Sequence, residues 1–236
     1  MSGHSKWANI KNRKGAQDKK RSEAFTKMAK NILTAIRENG GNTNPENNNS
    51  LRTAIDRAKL ASMPKENIER LLKNFEAKKD NLVSFWLEGY ASGGVPLMIE
   101  VETDNKNRTL GEVKLILKNH SVSLGESGSV AYLFDRKGEI ELGNKLTDDQ
   151  QLEIIDLGVE DIEENYLYVR VEDMENISQL LESKNLEVVS KSIVMKSKSP
   201  IIIDNEDQVE KVVDLVEDLE DNEDVVSVFA GFTYNA

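Results

Sequence analysis

The sequence predicts an α+β protein: an N-terminal three-helix domain followed by two mixed α/β-sheet domains, the third inserted into the second. Two observations predict this class. Apolar residues recur at spacings of three and four up to about position 80 and then alternate with polar ones, which indicates a change from helices to strands. The charge changes at the same point: residues 1–80 hold 18 basic and 9 acidic residues, whereas residues 81–236 hold 13 and 33.

Three helices are predicted between residues 22 and 79. The first begins with Ser22 as its N-cap and ends at Asn39-Gly40-Gly41, since glycine adopts the left-handed turn that closes a helix. Asn44-Pro45 is predicted to begin the second helix and Pro64 the third, because proline suits the first turn. Each helix has one apolar stripe, so the three predict a small helical domain.

The part after residue 80 reads as two sheet domains. Strands are predicted at 83–88, 97–102, 122–124 and 130–134, with a helix at about 107–119. This strand-strand-helix-strand-strand segment lacks a final helix. A helix at 209–219 and a strand at 225–234 are predicted to complete it, so residues 138–198 form an insertion. The predicted segments are a basic arm (1–21), a helical domain (22–80), a central domain (81–137 plus 199–236) and an inserted domain (138–198).

Composition limits the class of protein further. The absence of cysteine excludes disulfides, thiolate metal sites and a cysteine nucleophile, and it fits a reducing compartment. No run approaches the roughly 18 apolar residues of a membrane span. The basic start lacks both the apolar segment of a secretory signal and the composition of a transit peptide. We therefore expect a cytoplasmic protein.

The first thirty residues form a cationic arm, with nine basic and two acidic residues in a chain of net charge −11. Such a segment favours a polyanion, because each neutralised phosphate releases a condensed counterion. Trp7 and His4 add rings that can stack on bases. Alternatively, Trp7 folds back on an apolar surface and the lysines only solvate a tail. The predicted nucleic-acid-binding residues of the arm are His4, Lys6, Trp7, Lys11, Arg13, Lys14, Lys19, Lys20 and Arg21.

A second candidate site follows a predicted strand, in the segment Asp104-Asn-Lys-Asn-Arg108. Backbone N–H groups at a helix N-terminus favour anions, and Lys106 and Arg108 would add charge to a phosphate site. Capping of the helix by Asp104 and Asn107, with a solvated basic pair, explains the same residues without a ligand.

Motifs of catalysis are missing from the sequence. His4 and His120 lie in no metal-ligand motif, and no Walker A loop, nucleophile elbow or dinucleotide fingerprint occurs. Glu100, Glu102 and Asp104 could hold Mg²⁺ for phosphoryl transfer, although an acidic sheet edge is the commoner explanation. We expect no catalytic site, metal, cofactor or small-molecule substrate.

Several blocks carry a family resemblance. Gly3-His-Ser-Lys-Trp-Ala-Asn-Ile-Lys11, followed by Arg13-Lys-Gly-Ala-Gln-Asp18, resembles the N-terminal signature of the YebC/PmpR family. That family includes the mitochondrial translational activator of cytochrome c oxidase. Blocks at 63–70, 88–94, 103–109 and 125–130 resemble the family in the same order. The resemblance implies a three-domain cytoplasmic regulator of gene expression, since some members are described as DNA-binding transcriptional regulators and others as ribosome-associated translation factors.

Together these features predict a non-catalytic, monomeric nucleic-acid-binding regulator whose target is ribosomal RNA or promoter DNA. Charge favours the ribosome, because an acidic body with one short basic arm repels a long duplex and is better matched to folded RNA. The alternative from another class is a protein-interaction module whose arm docks on an acidic partner.

Overall fold

The structure, a computed structural model, describes residues 19–234, and the side chains of residues 19–24, 26, 27 and 38 are outside that description. None of the helices in this range is both long and apolar enough to cross a membrane. The α-helices are α1 (Lys19–Glu38), α2 (Asn49–Leu60), α3 (Lys65–Lys78), α4 (Lys106–Asn119), α5 (Asp148–Ile155), α6 (Met174–Ser183) and α7 (Glu206–Glu220). The strands are β1 (Val83–Ala91), β2 (Val95–Thr103), β3 (Phe134–Leu142), β4 (Asp161–Glu163), β5 (Tyr166–Val169), β6 (Val188–Ser197), β7 (Ile201–Ile203), β8 (Val225–Ala230) and β9 (Phe232–Tyr234).

Helices α1 to α3 pack around one apolar cluster that includes Ile32, Ile36 and Leu51, each with no exposed surface. The cluster confirms the predicted helical domain. The predicted glycine stop is also confirmed: the N–H of Gly41, at φ +80°, donates to the carbonyl of Ile36.

The predicted start of the second helix was wrong. Asn44 accepts a hydrogen bond from the Glu46 N–H within a turn, and α2 begins four residues later than predicted. The buried side chain of Asn48 caps it: Oδ1 accepts from the Leu51 N–H at 3.0 Å, and Nδ2 donates to the Ala35 carbonyl at 2.9 Å. Because this amide also binds α1, one cap fixes both helices.

The central sheet is antiparallel in the order β1-β2-β8. Its inner face packs on α4 and α7 through a core that includes Leu97, Ile99, Val212 and Val228. Strand β8 comes from the far end of the chain, as the sequence predicted, and β9 pairs with β7 in a parallel two-stranded sheet.

Two predicted strands of the central domain were wrong. Residues 122–124 contribute one isolated bridge, between Leu124 and Gly89, and residues 131–133 form a 3₁₀ turn. In the second segment, the N–H groups of Val130 and Ala131 bond to the carboxylate of Glu88, so they are not available to a sheet ladder.

The second sheet has the antiparallel order β4-β5-β3-β6, and one of its faces packs on α5 and α6. The predicted cap of α5 is confirmed, because Thr147 and Gln150 form a reciprocal capping box. Strands β3 and β6 pair from Phe134↔Ser197 to Leu142↔Val188, so the chain enters and leaves this sheet on neighbouring strands. This is the geometry expected of an insertion; the exact domain boundaries stay a prediction.

The two larger sheets share a small apolar cluster. Met98 and Phe229 of the central sheet lie with Tyr166, Tyr168 and Val194 of the second sheet, and all five are buried. The outer face of the central sheet is therefore partly a contact surface between the two sheet units.

Helix α4 offers a matched test of the central core. Leu117 is 1% exposed and Leu115 is 60% exposed on the same helix. We expect Leu117→Ala to lower the free energy of unfolding by about 2 to 5 kcal/mol, because it removes buried methyl groups and leaves a cavity. Leu115→Ala should change it by less than about 0.5 kcal/mol. Urea denaturation followed by circular dichroism measures both, and equal effects would contradict this assignment of the core.

Candidate nucleic-acid interface

The predicted arm lies largely outside the described residues. His4, Lys6, Trp7, Lys11, Arg13 and Lys14 precede them. Lys19, Lys20 and Arg21 lie in the first turn of α1, where the backbone is helical and the side chains are outside the description. What the structure describes is the rest of the helical unit that the arm enters, together with the surface against which that unit packs.

Three cations of the helical unit pair with carboxylates of the central unit. Lys30 Nζ lies 3.5 Å from Glu220 Oε1. Arg37 Nε donates to Glu102, and its Nη2 also lies 3.5 Å from the Glu223 carbonyl. These contacts connect α1 to the end of β2 and to the turn between α7 and β8, so pairs of opposite charge contribute to joining the two units.

The third pair lies at the end of α3, where Lys78 Nζ is 3.7 Å from Asp104 Oδ1. The Lys78 and Asp104 side chains are 40% and 27% exposed, so this pair weakens as salt is added. The charged atoms of the Lys30–Glu220 pair are buried and are screened less. We call this set of contacts, with its three pairs Lys30–Glu220, Arg37–Glu102 and Lys78–Asp104, the junction.

A cleft of about 250 Å³ opens within the junction. The helical unit contributes cationic side chains to its wall, and the central unit contributes carboxylates. Its charged lining residues are Lys30, Arg37, Arg70, Glu220, Asp221 and Glu223. A face that carries three cations on one unit is thus covered by three acids of another.

The ammonium nitrogen of Lys30 is buried. Burial lowers the pKa of its ammonium group, and the neighbouring Glu220 carboxylate opposes that shift. Their 3.5 Å separation exceeds the roughly 2.7–2.9 Å of a charge-assisted hydrogen bond. The pair is therefore held by the packing of the two units rather than by ideal geometry.

The second predicted site is organised by a carboxylate that the sequence analysis missed. Asp224, 9% exposed, accepts hydrogen bonds from Thr103 Oγ1 at 2.9 Å, Thr109 Oγ1 at 2.6 Å and Arg108 Nη2 at 2.7 Å. Arg108 also donates to Asp104 at 2.8 Å. The guanidinium thus has internal partners on two sides.

These contacts give Arg108 a structural task at the start of α4. Asn105 caps that helix, since its Oδ1 accepts from the Arg108 N–H at 3.1 Å, so the expected capping by Asp104 and Asn107 was wrong. Lys106 lies over the ring of Phe85, with Nζ 4.7 Å from its centroid. The predicted phosphate-site role of Lys106 and Arg108 stays a prediction.

The alternating acids of β2 do not gather as a metal site would require. Asp104 lies beyond the end of β2 and bonds to Arg108, while Glu102 bonds to Arg37. Burial raises the pKa of Glu100, which Arg37 nearby partly offsets. Across residues 19–234, no group of three His, Cys, Asp or Glu side chains is arranged to hold a metal ion.

A further buried carboxylate explains two of the sequence blocks noted above. Glu88, 6% exposed, accepts from the N–H groups of Gly128, Val130 and Ala131 at 2.6, 2.7 and 2.8 Å. Burial alone would raise the pKa of Glu88, and these three donors bring it below its ordinary value. The block at 125–130 is therefore a loop wound around an anion of this chain, not a glycine loop around a phosphate.

The described histidine has an equally local partner. His120 Nε2 lies 2.7 Å from Asp218 Oδ2, which connects the end of α4 to α7. The other histidine, His4, lies outside the described residues.

The fold defines a class of protein: a three-helix unit joined by charge pairs to two α+β sheet units, one of which interrupts the other. Comparisons with known proteins identify the family to which this class of protein belongs. Residues 5–78 match the model of the TACO1/YebC protein N-terminal domain, and residues 82–232 match that of the TACO1/YebC second and third domain. The chain belongs to the TACO1/YebC family.

Similar proteins extend over nearly the whole chain. A protein of Fervidobacterium nodosum is 45% identical, over 98% of this chain and 94% of its own length, and one of Thermosipho melanesiensis is 43% identical over the same shares. Both are named probable transcriptional regulatory proteins. The crystal structure of a conserved hypothetical protein from Aquifex aeolicus has a TM-score of 0.70 at 37% identity, covering 98% of this chain and 97% of that one.

Neutralising Asp224 tests the network around it. We expect Asp224→Asn to lower the free energy of unfolding at pH 7 by about 1.5 to 3 kcal/mol, the range for a charge-assisted hydrogen bond. Burial alone would raise the pKa of Asp224, but Arg108, Thr109 and Thr103 hold it below its ordinary value. Its contribution is therefore complete above the unfolded pKa of about 4 and is lost as the pH falls through the lower folded pKa.

The difference between wild type and Asp224→Asn should accordingly shrink between pH 4 and pH 3. Urea denaturation at a series of pH values measures it, with Asp204→Asn, a change at an exposed carboxylate, as the control. A difference that stays constant down to pH 3 would rule out the proposed role of the charge.

Glu88→Gln tests whether the carboxylate of Glu88 holds the loop at 125–130. An amide oxygen can replace only part of the carboxylate's acceptor capacity, and the amide N–H₂ would face other donors. We expect hydrogen exchange of the Gly128, Val130 and Ala131 amides to accelerate at least about tenfold, which corresponds to roughly 1.4 kcal/mol. Glu126→Gln, an exposed change in the same loop, should leave those amides unaffected. Unchanged exchange in Glu88→Gln would show that the carboxylate does not hold the loop.

Proposed function

We propose that this chain is a non-catalytic, monomeric nucleic-acid-binding regulator of gene expression, with its N-terminal basic arm as the part that binds phosphates. The observation that carries the proposal is the charge distribution: residues 1–80 hold 18 basic and 9 acidic residues, and the remainder holds 13 and 33. A polyanion is attracted to one end of such a molecule and repelled by the other.

The described carboxylates support the same division. Glu88 and Asp224 satisfy donors within the fold, and Glu102 pairs with the helical unit, so their chemistry is structural. The negative surface that remains would keep nucleic acid away from the sheet units and confine contact to the helical end.

Two targets fit this arrangement. The names of the curated relatives, probable transcriptional regulatory proteins, favour DNA. The overall charge of −11 favours a folded RNA surface such as the ribosome, because a long duplex would run past the acidic units. We favour ribosomal RNA, and we expect ribosomes to outcompete promoter DNA for the labelled protein at physiological salt.

Neutralising the arm tests the proposal. We expect the combined change of Lys11, Arg13, Lys14, Lys19 and Lys20 to Gln to abolish most binding to ribosomes and to DNA, since it removes most of the phosphate contacts. Contact with five to seven phosphates predicts a slope of log K against log salt of about −4 to −6, falling to about −1 in the variant. Fluorescence anisotropy at several salt concentrations measures both.

The control removes the same number of exposed charges from the sheet units. Its lysine-to-glutamine changes are at Lys114, Lys118, Lys145, Lys184 and Lys211. This variant should keep the wild-type slope, whereas an equal loss in both variants would point to net charge alone. Deletion of residues 1–21 that leaves nucleic-acid binding intact but abolishes capture of an acidic protein would favour the interaction module instead.

A further inference from the structure

In the junction, cations of the helical unit contact carboxylates of the central unit. If the helical unit binds phosphates, carboxylates and phosphates would compete for the same cations. Lys30 and Arg37 lie on α1, the helix that the basic arm enters, and Arg70 lies beside them on α3. In the structure this cationic face is covered by the turn that ends α7 and begins β8. That turn carries Glu220, Asp221 and Glu223.

The turn with Glu220, Asp221 and Glu223, which we call the cover, resembles a phosphate backbone in its chemistry. It presents successive acidic groups, and Glu102 adds a further carboxylate through its bond to Arg37. Guanidinium and ammonium groups bind carboxylates and phosphates through the same hydrogen bonds. A strand of nucleic acid that extends from the arm along α1 would therefore meet the same cations that the turn now occupies.

We infer that residues 220–223 are an intramolecular competitor for nucleic acid: they cover a phosphate-binding face formed by Lys30, Arg37 and Arg70, and bound nucleic acid displaces them and opens the junction. This inference rests on the proposed function, because it needs a nucleic-acid ligand for the helical unit. It goes beyond that function by naming a second phosphate-binding face and the segment that regulates it.

Three features of the junction make displacement feasible. One of its three ion pairs, Lys78–Asp104, has side chains that are 40% and 27% exposed, and such a pair is worth little in water. The Lys30–Glu220 separation of 3.5 Å leaves room for a better acceptor. Burial lowers the pKa of Lys30, so an added negative charge beside it would be favourable.

The affinity test uses a variant that discharges the cover. Glu220→Gln, Asp221→Asn and Glu223→Gln together remove the carboxylate charges of the turn and keep the shapes of the side chains, while the Arg37–Glu102 pair stays in place. If the closed junction hides the face most of the time, the apparent affinity is reduced by the fraction of open molecules. We expect the triple variant to bind a fluorescein-labelled single-stranded RNA about five- to tenfold more tightly than wild type at low salt.

The matched control changes the same residue types at the other end of the same helix, about 20 Å away. It consists of Glu206→Gln, Asp207→Asn and Glu210→Gln, all exposed in the structure. Because distant charges are screened beyond about 10 Å at 0.1 M salt, this variant should gain less than about twofold.

Opening is measured by the distance between two spin labels. The sequence has no cysteine, so Leu60→Cys and Leu152→Cys give specific attachment points, and both leucines are well exposed, at 86% and 68%. One label lies on the helical unit and the other on the inserted sheet unit. Added RNA should lengthen and broaden the distance distribution in the wild type, and the triple variant should show that broadening without RNA.

Each result decides a different claim. Tighter binding confined to the triple variant, with a longer label distance, supports the inference. Equal affinities of wild type, triple variant and control, or equal gains in both variants, overturn it while leaving the proposed function standing. If the wild type binds neither RNA nor duplex DNA, the proposed function fails and this inference falls with it.

Discussion

The carboxylate of Asp224 holds together the part of the fold that the insertion would otherwise separate. It stands at the entry to β8, and it accepts hydrogen bonds from the end of β2 and from two residues of the first turn of α4. Strand β8 reaches its place in the sheet after more than a hundred intervening residues. Because closing so long a loop costs conformational entropy, a charged and buried anchor at the point of return is physically useful.

The same device occurs twice more in the central unit. Glu88 holds the N–H groups of the loop at 125–130, and Glu102 holds α1 through Arg37. The buried carboxylate of Glu88 replaces lost hydration with three N–H donors, and this is what makes its burial tolerable. The strongly acidic composition of residues 81–236 is thus partly architecture, although most of its acids remain on the surface.

Features of the fold that depend on neighbouring residues could be predicted from the sequence, whereas features that depend on contacts between distant residues could not. The apolar period identified α1, α3, β1, β2 and α7, because periodicity is a property of neighbouring residues. The glycine turn at Gly41 and the capping box at Thr147 also depend only on nearby residues, so the sequence predicted both. The start of α2 was missed because Asn48 is selected by a bond to the Ala35 carbonyl, a contact made across thirteen residues.

The false strands and the missed anchors have one cause. Val130 and Ala131 have the residue types of a strand, and what takes their N–H groups is a carboxylate forty positions earlier. Asp224 is one of 33 acidic residues after residue 80, and its partners lie more than a hundred positions away. A single sequence shows that a charge exists; its partner becomes visible only when the fold brings the two together.

The turn between α7 and β8 combines two tasks that the geometry keeps apart. Asp224 points inward and holds the sheet, whereas Glu220 and Glu223 make contacts toward the helical unit. The inward group is buried and has three donors, so its contacts are expensive to break. The outward contacts are one ion pair, Lys30–Glu220, and one hydrogen bond from Arg37 to the Glu223 carbonyl, each at 3.5 Å. The contacts that hold the sheet and those that reach the helical unit therefore lie on opposite sides of one short turn.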